Sequence, residues 1–437
     1  MFDMSDARKF TVRLLTKLDE DASYSNILLD QALSRSQLTE QDKRFASALF
    51  YGVLERRYTL DAVIKAHLKN PNDKLSAEVR NILRIALYQM LYMDHVPDSA
   101  AVNESVSLAK KNRNPAISGF VNGLLRQFLR EDKNLPKAKN ASETLALEYS
   151  CPVPLVDKWL KEYGESVTKS MLSSSVGQAP VTVRVNTMRM PLEDVMSVLQ
   201  KDGFGVERVD TVPDCLRICG SGIEQSSAYK AGLVHVQDVS CQLCCQALDA
   251  KTGDTVLDIC SAPGGKAFTI AEIMRNNGSV LAFDLHENRV RLIRQGAERL
   301  GLSIISAQTN DGKVFSNKMP LADRILCDVP CSGLGVIRRK PEIKYKDLSE
   351  FDRLPQIQYD ILNTSAGYLK VGGILVYSTC TLSKTENEQV TDRFLSEHPD
   401  YTKGTLPDVL GGEHRVTITP DRFGSDGFYI AIFTRLR

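Results

Sequence analysis

Apolar residues recur at helical spacing through the first 131 positions. "ARKFTVRLLTKL", "SNILLDQAL", "QDKRFASALFYGVLERRYTLDAVIKAHL", "LSAEVRNILRIALYQMLYM", "AAVNESVSLAKK" and "AISGFVNGLLRQFLR" each carry one apolar stripe. Turn signals such as "NPND" and "HVPD" separate them. These features predict an all-α bundle over residues 1–140, closed by the lysine-rich linker candidate "EDKNLPKAKNAS". Residues 141–235 mix patterns. "VPLVDKWLKEYG" is helical, "VTVRVNT" alternates like a strand, and "PLEDVMSVLQKDG" is helical with Gly203 at its end. A small α+β domain is expected there. From about Gly253, apolar runs alternate with helical ones: "DTVLDICSAPGGKAFTIAEIM", "GSVLAFDLHENRVRLIRQGAERLG", "SIISAQTNDG", "ADRILCDVP", a long helical stretch ending near Leu369, then "GGILVYSTC". Such alternation predicts a parallel, doubly wound sheet in an α/β domain over 236–437.

Length and composition fit this multidomain reading. The chain has 437 residues, 43% apolar and 25% charged, which excludes a disordered or fibrous protein. A net charge of +1 excludes a globally basic nucleic-acid binder, so any such role must come from local patches. The start lacks the apolar core of a secretory signal. No apolar run reaches the roughly 18 residues of a membrane span, and Arg84 interrupts the nearest, "LRIALYQMLYM". A cytoplasmic protein without a membrane partner is expected. Ten cysteines then read as thiols. "CQLCC" holds one C-x-x-C, but no second pair lies at matching spacing, so helix packing is favoured over a metal site.

Two basic stretches admit two readings, a solvated face or contact with phosphates. One, late in the bundle, includes Lys110, Lys111, Arg113 and Arg126. The other, "GVIRRKPEIKYK", supplies Arg338, Arg339, Lys340, Lys344 and Lys346.

In a doubly wound fold, functional groups collect at the carboxyl ends of the strands. "VLDICSAPGGKAF" ends a strand in a glycine-containing loop that opens a helix, where free N–H groups face a ligand. The dinucleotide and P-loop fingerprints are both absent. Asp284 closes the next strand and Asp311 follows the third. Each acid alone is an ordinary cap or turn residue. At successive strand ends they point to a nucleoside cofactor.

Two further strand ends carry cysteines: Cys331 in "CDVPCSG" and Cys380 in "YSTCT". They read as core thiols or as a catalytic pair. A pyrimidine carbon 5 is not nucleophilic until a thiolate adds to carbon 6, which is covalent catalysis. An acid at ring nitrogen 3, such as Asp328, would stabilise the charge that shifts there.

"DICSAPGGKAF", "DVPCSGLGVIRRKPEIK" and "YSTCT" together resemble the S-adenosylmethionine-dependent RNA cytosine-5 methyltransferases. The helical stretch from "ALFYGVLERR" to "GFVNGLLRQFLR" resembles a NusB-like RNA-binding bundle. The combination is similar to the RsmB/Sun/Fmu family of bacterial enzymes, over essentially the whole chain. This resemblance implies an all-α NusB-like bundle, a small α+β middle domain and an α/β, Rossmann-like class I methyltransferase domain. It implies methyl transfer to carbon 5 of a cytosine of 16S ribosomal RNA, cytosine 967. The RNA would be free or in a partly assembled small subunit, with no obligate protein partner. By motif, Cys380 would be the nucleophile, Cys331 would assist product release and Asp328 would contact the base. In the related DNA enzymes the Pro-Cys cysteine attacks instead, so that assignment stays open. Cys260, Ser261, Ala262, Pro263, Gly264, Gly265, Lys266, Asp284, Asp311 and Asp328 would line the S-adenosylmethionine site, and Lys266 is a candidate cation beside Cys380. The loop departs from the family pattern at Ser261 and Ala267, where an alanine and a threonine are usual. Two alternatives remain: the same chemistry on transfer RNA or another ribosomal site, and a non-catalytic RNA-binding assembly factor.

Overall fold

Helices fill the first part of the chain, as the 3.6-residue periodicity predicts. The computed structural model describes residues 6–20, 25–110 and 115–437. They divide into two units, Met1–Gly177 with Ile337–Lys346, and Gln178–Val336 with Asp347–Arg437. The first unit carries α1 (Ala7–Glu20), α2 (Ser25–Ser34), α3 (Glu40–Ala66), α4 (Ala77–Tyr92), α5 (Asp98–Lys110), α6 (Ala116–Arg130), α7 (Ala141–Tyr149) and α8 (Val153–Ser174), the last broken at Gly164. Thr39, Ser76 and Asn140 cap α3, α4 and α7 by accepting backbone N–H groups that the helices leave unpaired. Phe50, Leu83, Leu87, Leu125 and Phe128 are buried at the centre.

Arg84 lies inside the apolar run of α4 because two acids meet it. Its guanidinium donates twice to Asp61 at 2.7 Å and once to Asp19 at 3.0 Å. Arg84→Leu would remove a buried guanidinium and its bonds to Asp61 and Asp19, leaving Asp19 to Arg57, Arg80 and Asn81, and is expected to cost about 2 kcal/mol, measured by urea denaturation.

Contacts join α7 and α8, which the sequence pattern groups with residues 141–235, to this unit. Thr59 of α3 explains why: its hydroxyl donates to Leu147 O at 2.7 Å, and its N–H donates to Ser150 Oγ at 3.1 Å. The basic segment around 338–346 also packs here. The Glu342 carboxylate accepts from Ser25 N at 3.2 Å and Ser25 Oγ at 2.9 Å. Lys344 Nζ donates to Glu55 O at 2.8 Å. Lys344 is therefore buried and is no phosphate contact, and burial pulls its pKa down to about 8.

In the second unit, β1 (Val181–Val185), α9 (Leu192–Lys201), β2 (Gly205–Arg208), β3 (Cys215–Cys219), α10 (Ser227–Lys230) and β4 (Val234–Val236) build the small α+β domain. Its sheet is antiparallel, in the order β2-β3-β1-β4. Then follow α11 (Val239–Ala247), β5 (Thr255–Asp258), α12 (Gly265–Ile273), β6 (Ser279–Asp284), α13 (Glu287–Leu300), β7 (Ile305–Thr309), β8 (Ala322–Asp328), α14 (Leu354–Ala366), β9 (Leu369–Thr379), α15 (Glu388–Glu397), β10 (Tyr401–Lys403), β11 (Arg415–Ile418) and β12 (Phe428–Arg435). The sheet order is β10-β12-β9-β8-β5-β6-β7, with β11 paired to β12. Strands β5 to β9 are parallel, as expected. The antiparallel extension formed by β10, β11 and β12 is an addition to that expectation.

Both faces of this sheet are covered, so its strands are apolar at consecutive positions. Val256, Leu326 and Val376 face the helices α11, α12 and α13, while their neighbours Leu257, Ile325, Leu375 and Tyr377 face α14 and α15. Gly372 and Gly373 lie within β9, where the pairing with β8 is irregular, rather than in a turn before it. Among the described residues, no helix is long and apolar enough to cross a membrane.

Candidate active site

Adjacent parallel strands end at the same edge, and this brings the two cysteine motifs together. Asp328, the last residue of β8, stands opposite Ser378 near the end of β9. Cys331 and Cys380 follow those ends, and their sulfurs lie 3.2 Å apart, both thiols free and half-buried. The two cysteines thus form one site.

Backbone contacts hold the loops that carry them. Gly335 N donates to Cys380 O at 3.0 Å, and Gly427 N donates to Gly335 O at 2.9 Å. A Cβ at Gly335 would overlap the Gly427 carbonyl and come within 2.8 Å of Cys380 O. Gly335→Ala is expected to cost about 1–3 kcal/mol by overpacking, again readable by denaturation. Below the cysteines lies a buried polar layer. The Glu386 carboxylate accepts from Ser332 N, Ser332 Oγ and Gln358 Nε2, and Asn387 bonds to Thr379 Oγ1 and Thr381 O. Sequence reasoning missed Glu386 and Asn387. In "TENEQV" they read as ordinary polar residues before a helix, and nothing local signals their burial.

Cys331 and Cys380 share one S–H···S hydrogen bond. This bond, burial and the nearby charge of Glu386 hold the Cys331 pKa well above its usual value. The Lys266 ammonium is committed elsewhere, donating to Asp328 Oδ2 at 2.7 Å. Burial, the largest single influence, opposes its charge, but Asp328 together with the neighbouring Cys241 and Cys244 raises its pKa above the usual value. Asp328 Oδ1 accepts from Ser378 Oγ at 2.8 Å. Lys266 is thus the partner of Asp328, and the group seen against Cys380 Sγ is Cys331.

The predicted cofactor residues collect along the neighbouring strand ends. Cys260 to Lys266 form the loop from β5 into α12, with a cis Ala262–Pro263 bond. Gly264 has a φ of +109°, and a Cβ there would press on the Phe268 ring, so the loop turns sharply into the helix. Asp284 is buried at the end of β6, accepting from His286 N at 3.2 Å, with Arg289 3.2 Å away. Asp311 is half-buried and accepts from Lys313 N at 3.1 Å, the hydrogen bond of a turn residue. Asp258, which the motif reading had passed over, ends β5 fully buried. Asp258 and Ser261 interact with each other, but among the described residues the two Asp258 carboxylate oxygens and the Ser261 hydroxyl have no hydrogen-bond partner of good geometry. Burial pushes the Asp258 pKa up to about 7. Ala267 is fully buried in the apolar cluster under the sheet, where a threonine hydroxyl would need a partner.

Lys110 and Arg126 are exposed on α5 and α6, and Arg338, Arg339 and Lys340 are half-buried in the helical unit. Lys111 and Arg113 lie outside the described residues. Cys244 and Cys245 are buried in α11. A separate cavity of about 840 Å³, lined by Arg184, Asp214, Glu272 and Arg275 among others, contains none of the predicted site residues.

A parallel sheet with an antiparallel β12 beside β9, and a glycine loop opening α12, is the architecture of Rossmann-like methyltransferases. Three family models match the chain. One, described as 16S rRNA methyltransferase RsmB/F, covers residues 245–434; the NusB family covers 5–130, and an RsmF/B-like ferredoxin-like domain covers 151–222. The probable ribosomal RNA small subunit methyltransferase B of Bacillus subtilis is 38% identical, over 98% of each chain. Its namesake in Synechocystis is 34% identical, over 98% of this chain and 99% of the relative. Among solved structures, PH0851 superposes with a TM-score of 0.83 at 26% identity, over 98% of this chain and 99% of that one. The chain belongs to the RsmB/F family of 16S rRNA methyltransferases, and it is an rRNA methyltransferase.

Proposed function

We propose that the protein transfers a methyl group from S-adenosylmethionine to carbon 5 of a cytosine in 16S ribosomal RNA, cytosine 967 by family likeness, through a covalent bond between Cys380 and the base. The observation that carries this reading is the sulfur pair. Its two thiols lie 3.2 Å apart at adjoining strand ends and share one hydrogen bond. By motif likeness, Cys380 is the thiolate that adds to carbon 6. Carbon 5 then becomes nucleophilic enough to take a methyl group. After transfer, the carbon 5 proton must leave and the Cys380–carbon 6 bond must break. Cys331, whose sulfur lies beside that of Cys380, is proposed to act in that step, its thiolate taking the carbon 5 proton as the Cys380 sulfur leaves carbon 6.

The chain's own groups suit S-adenosylmethionine, whose sulfonium supplies an electrophilic methyl. The Asp284 carboxylate matches ribose hydroxyls, Asp311 an adenine amino group, and the N-terminus of α12 offers free N–H groups. Asp258 and Ser261, buried with oxygens that lack well-aligned partners among the described residues, are the kind of polar atoms that a bound ligand satisfies. Asp328 and Lys266 together present an acceptor and a donor, which matches the amino group and ring nitrogen 3 of cytosine. The target base must leave its stack, at a cost of a few kcal/mol that is least in a loop. Lys110, Arg126, Arg338, Arg339 and Lys340, with Lys111 and Arg113, are proposed to hold the RNA through its phosphates, free or in a partly assembled subunit.

The test is to incubate the protein with labelled S-adenosylmethionine and unmethylated 16S RNA, free and in partly assembled subunits. The digested nucleosides are then identified by mass. 5-Methylcytidine at a single position is expected. Label in another nucleoside, or in none, contradicts the proposal.

A further inference from the structure

We infer that Glu386 is a positioning residue, whose buried carboxylate clamps the chain after Cys331 to the chain after Cys380 and so sets the sulfur pair. Glu386 is 2% exposed. One carboxylate oxygen accepts from Ser332 N and from Gln358 Nε2, both at 2.9 Å. The other accepts from Ser332 Oγ at 2.6 Å; that hydroxyl in turn accepts from Thr381 Oγ1 at 2.7 Å, and Thr381 Oγ1 lies 3.4 Å from the carboxylate. Ser332 follows Cys331, and Thr381 follows Cys380, so the carboxylate and this hydroxyl pair tie both cysteine loops together one residue from each sulfur. Gln358 locks the arrangement from α14 by donating also to Pro330 O at 3.0 Å, just before Cys331. The Glu386 backbone takes part as well, since its carbonyl accepts from Tyr377 OH at 2.6 Å.

A buried acid without a lysine or arginine among these partners is costly to keep. Here each oxygen is satisfied by neutral donors, and the Ser332 hydroxyl among them is held in turn by Thr381, so the carboxylate is held only while both loops are in place. Its charge also acts on Cys331, favouring the protonated thiol. Glu386 therefore contributes geometry and charge to the pair without touching substrate. This inference rests on the proposed roles of Cys380 and Cys331, but the clamp is testable without RNA.

The experiment uses dibromobimane, which alkylates two thiols and fluoresces when it bridges them. The Cys331–Cys380 bridge is confirmed by peptide mass, and steady-state methyl transfer is measured on the same proteins. Wild type should bridge. Glu386→Ala should bridge poorly and lose about 10²-fold in kcat, the scale of a 1 Å misplacement, with KM for RNA and for S-adenosylmethionine within about twofold of wild type. Glu386→Gln can retain one accepting oxygen, and the Ser332 and Thr381 hydroxyls can turn to accept from its amide. It should recover bridging and most of kcat, while Cys331, freed of a nearby negative charge, alkylates at lower pH. Should Glu386→Ala fail to fold by circular dichroism, Ser332→Ala removes one donor and is expected to weaken bridging and kcat in the same direction. Bridging and kcat at wild-type levels in the folded Glu386→Ala variant, or failing that in Ser332→Ala, would overturn the clamp. Bridging that depends on Glu386 in a wild type that methylates no cytosine would instead leave the clamp standing and remove the proposed function.

Discussion

Cys380→Ala is expected to abolish methyl transfer, lowering kcat by roughly 10⁴- to 10⁶-fold, the scale seen when a covalent nucleophile is removed. The physical ground is that cytosine carbon 5 has no nucleophilic character until a thiolate adds at carbon 6. Cys331 lies 3.2 Å away, and its hydrogen bond with Cys380, burial and the Glu386 charge raise its pKa, which disfavours it as a substitute nucleophile. The substitution removes a half-buried sulfur and leaves the hydrogen bond between Gly335 N and Cys380 O intact, because that bond uses the backbone. Folding and RNA binding should therefore change little. Single-turnover methylation with excess enzyme would show the loss in the chemical step, with the RNA dissociation constant unchanged.

Asp328→Ala is expected to have the next largest effect, a loss of about 10²- to 10³-fold in kcat. Lys266 Nζ now sits 2.7 Å from Asp328 Oδ2, and this pairing helps to raise the lysine pKa against the pull of burial. Removing the carboxylate loses the acceptor proposed for the cytosine amino group and strands the ammonium. The Lys266 pKa then falls, because burial is left without the opposing charge. The sign follows directly. Whatever stability Asp328 lends Lys266 is present while the lysine is charged and fades as pH rises through its raised folded value. Asp328→Ala should thus lower stability at neutral pH, and the deficit should shrink toward strongly alkaline pH. Denaturation midpoints of both proteins across that range would show whether the gap narrows.

The sequence was informative where a pattern is local. Helical periodicity marked α1 to α6, and alternating apolar runs marked β5 to β9, because each depends on nearest neighbours along the chain. "PCSG" and "STCT" were legible because the chemistry needs those residue types at strand ends, and parallel pairing of β8 with β9 then places the ends together. What stayed hidden depends on distant partners. Thr59 draws α7 into the bundle through bonds about ninety residues away along the chain. Glu342 and Lys344 dock in the helical unit through Ser25 and Glu55, so a run that reads as a solvated basic face carries a buried lysine. Lys266 reads as a candidate partner for a thiolate, yet an acid three strands later in the sequence claims it. Glu386 carries no local mark of burial at all. Its three donors come from two separate segments of chain, and Thr381 joins them from a third.

The central claim is that Cys380 forms the covalent bond to the base while Cys331 serves its release. The most direct measurement is the denaturant-resistant protein–RNA adduct, compared among wild type, Cys331→Ala, Cys380→Ala and the double variant, all with S-adenosylmethionine and unmethylated 16S RNA. Cys331→Ala should accumulate an adduct that turns over slowly, and both variants lacking Cys380 should form none. An adduct that persists in Cys380→Ala and disappears in Cys331→Ala would contradict the account, because it would make Cys331 the nucleophile.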